Sequence, residues 1–223
     1  APITHGRIRL TNSAFTIDPD SMRRELGLSS VRLLNDFEAQ AWALPGLRDD
    51  DLLLLGERMP GRRATMAVIG PGTGLGCAGM LRTNGRWYAV PGEGGHATLS
   101  AQTDREAAVL AAARRAHGHV SAERMLSGIG LPSLYRALAE VEQRSADPAV
   151  KTAIDVTEGA EHDPLLAATV ELFGALLGGY AGNVALTFGA TGGLLVGGGI
   201  APRIVARLAA SPFRDRFEAK GRF

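Results

Sequence analysis

Hydrophobic and polar positions change period repeatedly along this chain. Arg7-Ile8-Arg9-Leu10-Thr11 alternates, which predicts a strand, and Asp18-Pro19 then supplies an N-cap and a proline at the first position of a short helix ending near Gly27. Val31 to Leu34 is an apolar run stopped by Asn35-Asp36, and it reads as a buried strand with polar residues at its C-terminal end. Phe37 to Ala43 is helical in character. Pro45-Gly46 and the charged run Arg48-Asp49-Asp50-Asp51 interrupt the pattern, and a domain boundary is expected there, dividing residues 1–46 from 47–223.

Beyond the break, Met66 to Ile69 is a short buried strand that runs into Gly70-Pro71-Gly72-Thr73-Gly74-Leu75-Gly76. Cys77 to Leu81 and Arg86 to Val90 flank Thr83-Asn84-Gly85, and Asn-Gly between two such runs is the strongest short-range hairpin signal. A glycine-rich loop follows, Pro91 to His96. Thr103 with Glu106 makes a capping box for an alanine-rich helix that runs to His117 and is closed by Gly118. Ser121 caps a helical start carrying Glu123, and Leu131 to Val141 keeps helical period. Asp163-Pro164 opens a long apolar helix into the Asn183 region, Leu194 to Val196 is a buried strand, and Pro202 to Ala209 a last helix before a helix-like stretch ahead of Lys220. Strands and helices mixed in this way argue an α/β fold.

Composition narrows the function classes. With 45% hydrophobic residues in 223, the chain is neither disordered nor too short for a core. A net charge of +1, from 24 basic against 23 acidic residues, offers no electrostatic case for nucleic acid or an anionic membrane surface. The single Cys77 excludes a disulfide scaffold and suits a reducing, cytoplasmic setting. Leu172 to Ala201 carries no charge over 30 residues, but ten of them are glycine, so the run reads as buried helix, turn and strand rather than a membrane span. The start on Ala1 and the end on Lys220-Gly221-Arg222-Phe223 suggest a piece of something longer.

Two glycine clusters carry candidate chemistry. Gly74-x-Gly76-x-x-Gly79 fits the dinucleotide fingerprint formally, but a hairpin follows it where the fingerprint requires a helix. No Gly-Lys-Ser/Thr closes a P-loop. What remains is either an ordinary glycine turn or a cradle in which backbone N–H groups and the Thr73 hydroxyl converge on phosphate. Gly192-Gly193 and Gly197-Gly198-Gly199, around a strand, would let a flat ligand such as a nucleotide lie against bare backbone. Asn35, Asp36, Glu93, His96 and Glu123 are polar residues at a strand end, in a glycine loop and at a helix start. Each also has a plain alternative: a cap for Asp36, a satisfied loop histidine for His96, a first-turn acid for Glu123. No metal-ligand spacing occurs, and His117 and His119 have no cysteine partner.

The chain resembles the bacterial ATP-dependent glucokinases of the actin-like, hexokinase-type ATPase superfamily. The resemblance rests on Ala1-Pro2-Ile3, Leu10-Thr11-Asn12, Leu34-Asn35-Asp36-Phe37, Gly70 to Gly76, Pro91 to His96, His119 to Arg124, Leu126-Ser127-Gly128, Gly182-Asn183, Gly192-Gly193, Gly198-Gly199-Ile200 and Phe217-Glu218 with Lys220 to Phe223. It implies a two-lobed actin-like (ribonuclease H-like) α/β fold, incomplete here in its small lobe, and transfer of phosphate from ATP with Mg²⁺ to the glucose 6-hydroxyl. On that resemblance Asp36 is the general base, and Asn35, Glu93, His96 and Glu123 join it in binding the sugar. Gly72, Thr73, Gly74 and Gly76 belong to the second phosphate motif, while Gly192, Gly193, Gly198 and Gly199 belong to the segment against adenosine. A homodimer is implied too. The family's first phosphate loop, Asp-x-Gly-Gly-Thr, has no match, and Phe15 stands where a tryptophan is expected. The unmatched loop motivates a second expectation, a non-catalytic sugar-binding or regulatory module of the same fold.

Overall fold

A computed structural model describes residues 8–9, 16–56, 61 and 63–222. The motifs Ala1-Pro2-Ile3 and Leu10-Thr11-Asn12, with Phe15 and Phe223, lie outside the described residues, as does most of the strand expected from Arg7 to Thr11. Of that strand Ile8 and Arg9 are described; they form β1 (Ile8–Arg9) and pair antiparallel with β2 (Thr16–Ile17). Helix α1 (Pro19–Glu25) follows, its Asp18 cap accepting from the N–H groups of Asp20 and Ser21. The strand expected at Val31 to Leu34 does not form. A strand exists through its ladder, and no strand lies beside this segment among the described residues; Leu34 is exposed and Val31 and Leu33 only half-covered. The chain turns directly into α2 (Asp36–Ala43).

The centre of the molecule is a sheet of four strands in the order β5-β4-β3-β6: β3 (Met66–Pro71), β4 (Leu75–Thr83), β5 (Arg86–Gly92) and β6 (Leu194–Val196). The β4–β5 hairpin turns at Asn84-Gly85, where φ is 50° and 75°; two left-handed residues make the primed turn whose twist matches the flanking strands. Strand β6 is parallel to β3. Alternation along β3 and β4 sorts the side chains between two cores. Ala67, Ile69, Leu75 and Cys77 face the larger core, whereas Met66, Val68, Ala78 and Met80 face a smaller one roofed by Ala41 and Leu44 around α2.

The large face is covered by α3 (Asp104–His117), α4 (Ala122–Met125), α5 (Gly130–Val141), α6 (Ala153–Gly159) and α7 (Pro164–Phe188). Gly118, at φ 71°, stops α3 as expected. The capping arrangement differs by one residue from the box read in the sequence: Thr103 accepts from the Glu106 N–H, but the Glu106 carboxylate takes the Gln102 N–H and pairs with Arg216, both side chains being nearly buried. Helix α6 is not anticipated from the pattern, although Thr152 and Asp155 form a reciprocal capping box.

Helix α7 does not break at Asn183. It continues to Phe188 and ends on Gly189 in the left-handed conformation. The cause is on its surface: Gly174, Gly178 and Gly182, four residues apart, form one stripe against α8 (Val205–Ala210), α9 (Phe213–Glu218) and the chain around them. A Cβ at Gly178 would stand 2.1 Å from the Phe213 carbonyl oxygen, and one at Gly182 2.5 Å from that of Phe217. The conformational cost of helical glycine, about 1 kcal/mol each relative to alanine, is offset by this close approach. The helix is long and apolar enough to cross a membrane, yet 78% of its most apolar window is buried inside the protein.

Candidate active site

The chain between β3 and β4 makes a tip of Gly72, Thr73 and Gly74 at the end of the sheet. Three hydrogen bonds hold it. Gly72 N–H donates to the Gly74 carbonyl at 2.8 Å, Gly128 N–H donates to the Gly72 carbonyl at 2.7 Å, and Leu75 N–H donates to Glu123 Oε2 at 2.9 Å. The tip is thus fixed by α4 and the turn after it, and a Cβ at Gly74 would lie 2.5 Å from that same Glu123 oxygen. These bonds leave the N–H groups of Thr73 and Gly74 unused among the described residues, and Thr73 is exposed. This is the geometry in which successive amides can receive an anion.

The first turn of α2 lies on the same loop. Asn35, not Asp36, caps the helix: its Oδ1 accepts from Phe37 N–H at 2.8 Å and from Glu38 N–H at 3.4 Å. Asp36 is the first helical residue, exposed, with Oδ1 accepting from Phe37 N–H at 3.0 Å. The Phe37 ring occupies the space two absent side chains leave: a Cβ would fall 2.5 Å from it at Gly70 and 1.9 Å at Gly76. Glycine at these positions therefore seats α2, and with it Asp36, beside the loop.

The other side of the loop is built from the end of β5. Glu93 precedes a tight turn, Gly94–His96, that packs its backbone onto β4, since a Cβ at Gly95 would lie 2.1 Å from the Leu75 carbonyl oxygen. The His96 imidazole stands between two carboxylates, with Nε2 3.9 Å from Glu93 and Nδ1 3.8 Å from Glu123. Beneath the turn, the Tyr180 hydroxyl and Cys77 Sγ lie close under Gly94, and burial raises the pKa of both groups. A cavity of about 270 Å³ opens beside the loop, and Thr73, His96, His117, His119, Glu123 and Arg124 line it. Thr73, Glu93, His96 and Glu123 are thus brought together from three segments. His117, His119 and Arg124 were not singled out as site residues; the signal was their spacing around the Gly118 turn.

The second glycine cluster divides. Gly197 N–H donates to the Ile69 carbonyl at 2.8 Å, and Gly198, at φ 80°, approaches Pro71 so closely that a Cβ would meet its carbonyl oxygen at 2.4 Å. Gly198 and Gly199 therefore sit beside the Gly70–Gly76 loop. Gly192 and Gly193 lie at the opposite end of β6, where Gly192 N–H donates to the Thr65 carbonyl and Gly193 accepts from Ala67 N–H. The structure does not bring them to the loop, because a whole strand separates the two pairs. Gly182-Asn183 and Lys220 meet elsewhere: Lys220 Nζ donates to Gly179 O and Asn183 Oδ1, both at 2.9 Å, tying the chain after α9 to α7. Burial and the neighbouring Arg216 lower the Lys220 pKa. Among the described residues no group of three His, Cys, Asp or Glu side chains is placed to hold a metal ion.

Comparison with known proteins gives this geometry its family. The glucokinase family model matches residues 1–223. Glucokinase of Nitrobacter hamburgensis is 42% identical over the whole chain, which covers 69% of that protein, and the "Bifunctional protein glk" of Burkholderia pseudomallei is 42% identical, the chain covering 35% of it. The chain thus spans about a third of the bifunctional relative and about two thirds of the other. The crystal structure of glucokinase from an Antarctic psychrotroph superposes with a TM-score of 0.91 at 36% identity, covering 99% of this chain and 68% of that one. The mixed sheet with helices on both faces is accordingly the α/β actin-like ATPase fold, and the chain belongs to the glucokinase family.

Proposed function

We propose that the protein transfers the γ-phosphate of ATP to the 6-hydroxyl of glucose, giving glucose 6-phosphate and ADP. The observation that carries this reading is the seating of α2, with Asp36 at its start, and of Glu123 on one glycine loop, the first through the Phe37 ring on Gly70 and Gly76, the second through its bond to Leu75 N–H. Asp36, exposed and not consumed as a cap, takes the proton of the sugar hydroxyl as that oxygen attacks phosphorus. Asn35, Glu93, His96 and Glu123 bind the remaining hydroxyls, each of which both donates and accepts, so carboxylate, amide and imidazole together can hold them. The amides of Thr73 and Gly74 receive the transferred phosphate, with Gly72 and Gly76 giving the loop its shape, and Gly198 and Gly199 offer bare backbone to the nucleoside. Gly192 and Gly193 serve the start of β6 and are left out of this set.

Mg²⁺ belongs to the proposal as the ion carried by the nucleotide phosphates, whose charge it neutralises; the described residues form no cage for it, and no step is assigned to it. The division into units 1–46 and 47–223 is proposed on the break from Pro45 to Asp51, a cytoplasmic setting on the single Cys77, and a homodimer on the family resemblance. The test is ADP release by the protein in its full native length, with and without glucose. Release that depends on sugar supports the kinase; sugar binding without turnover would replace it with a non-catalytic binding module of the same fold.

A further inference from the structure

One wall of the cavity beside Thr73 has no part in the reaction just described. His117 ends α3, His119 follows the Gly118 turn and Arg124 lies on α4, so three donors from separate segments face one space of about 270 Å³, a volume suited to a small ligand. The hydroxyls of Ser121 and Ser127 line it as well. His119 is held in place, Nε2 lying 3.0 Å from Thr98 Oγ1. Arg124 has no carboxylate within salt-bridge distance among the described residues, and Arg136 stands close enough for its charge to be felt at His117. The single acid of the lining, Glu123, already accepts from Leu75 N–H. Burial, then the charges of Arg124 and Arg136, lower the pKa of His117, so the positive charge on this part of the lining comes from the two arginines.

We propose that His117, His119 and Arg124 form a subsite for the dianionic phosphate of a small phosphomonoester or of free phosphate. A guanidinium offers a fork of N–H donors, two imidazoles offer one each, and the serine hydroxyls add more, which matches three phosphate oxygens better than the two of a carboxylate. The subsite shares its cavity with the sugar-binding wall but does not depend on the kinase reading. If that reading holds, a phosphorylated sugar is the natural occupant, its hydroxyls toward His96 and Glu123.

The test is titration of the full-native-length protein, free of nucleotide, with inorganic phosphate in one arm and a hexose 6-phosphate in the other, followed by calorimetry and by the imidazole NMR signals of His117. Binding is expected to raise the His117 pKa, because an adjacent anion favours the imidazolium. Arg124→Gln and His117→Gln are each expected to weaken binding at least tenfold while the thermal midpoint stays put. Weakening in both arms assigns the subsite to the phosphate group itself, and weakening only with the sugar phosphate assigns it to that ligand. No binding in either arm, or binding unchanged in both variants because the glycine loop alone holds the anion, overturns the proposal. Failure of the kinase reading appears separately, as absence of sugar-dependent ADP release.

Discussion

The loop from Gly70 to Gly76 and the helix α7 are both glycine-rich, and they use glycine for opposite ends. In the loop, the missing side chains at Gly70 and Gly76 are replaced by the ring of Phe37, and that at Gly74 by the carboxylate of Glu123. Side chains from distant segments are thereby brought to a backbone with unused N–H groups. In α7, Gly174, Gly178 and Gly182 are met by the chain around α8 and α9, chiefly its backbone, leaving no space and no free donor. The same residue type makes a site in one place and a seam in the other. What lies against the glycine decides which, and Gly192 falls on the seam side with Ala64 and Thr65 as neighbours.

That contrast can be broken or sharpened by substitution. The largest effect is expected at Asp36: Asp36→Asn should lower turnover by about 10³-fold, within the range for losing a general base, with sugar affinity retained in calorimetry. Full activity in this variant would remove Asp36 from the chemistry. Next come the two kinds of glycine. Gly178→Ala, whose new methyl meets the Phe213 carbonyl oxygen, should destabilise by about 2–3 kcal/mol, visible as a lower melting midpoint, with kcat and KM of the folded protein unchanged. Gly76→Ala should cost less stability, about 1–2 kcal/mol, because an aromatic ring yields more readily than backbone. It should nevertheless reduce kcat, since it displaces Phe37 and therefore Asp36; a normal kcat would separate the ring from the site. Asn35→Ala should cost about 1 kcal/mol through the lost cap, in addition to weaker sugar binding. The smallest change is expected at Cys77, whose buried thiol has a raised pKa and so stays protonated at neutral pH; alkylation should be slow in the folded protein and fast after unfolding.

Much of this arrangement was legible in the sequence because it depends on local chemistry. Asn84-Gly85 specifies its turn, Gly118 stops its helix at left-handed φ, and Asp18, Thr103, Ser121 and Asp163 each cap the helix that follows. Long-range pairing was not legible. Val31 to Leu34 has the composition of a strand and no neighbour to make it one, and Asn183 looks like a helix stop until its contact with Lys220 is seen. For the candidate site, residue types were readable but partners were not. The bond from Leu75 N–H to Glu123 spans 48 residues of sequence, and the seating of Phe37 on Gly76 spans a whole hairpin approach, so neither leaves a periodic trace.

The most direct measurement of the central contrast is amide hydrogen exchange of the full-native-length protein with and without ATP and glucose, at concentrations where calorimetry establishes binding. The account predicts slowed exchange at Thr73 and Gly74 and at Gly198 and Gly199, with Gly192, Gly193 and the α7 stripe unchanged. Bound nucleotide that leaves the Thr73 and Gly74 amides exchanging freely, while protecting Gly192 and Gly193, would contradict it.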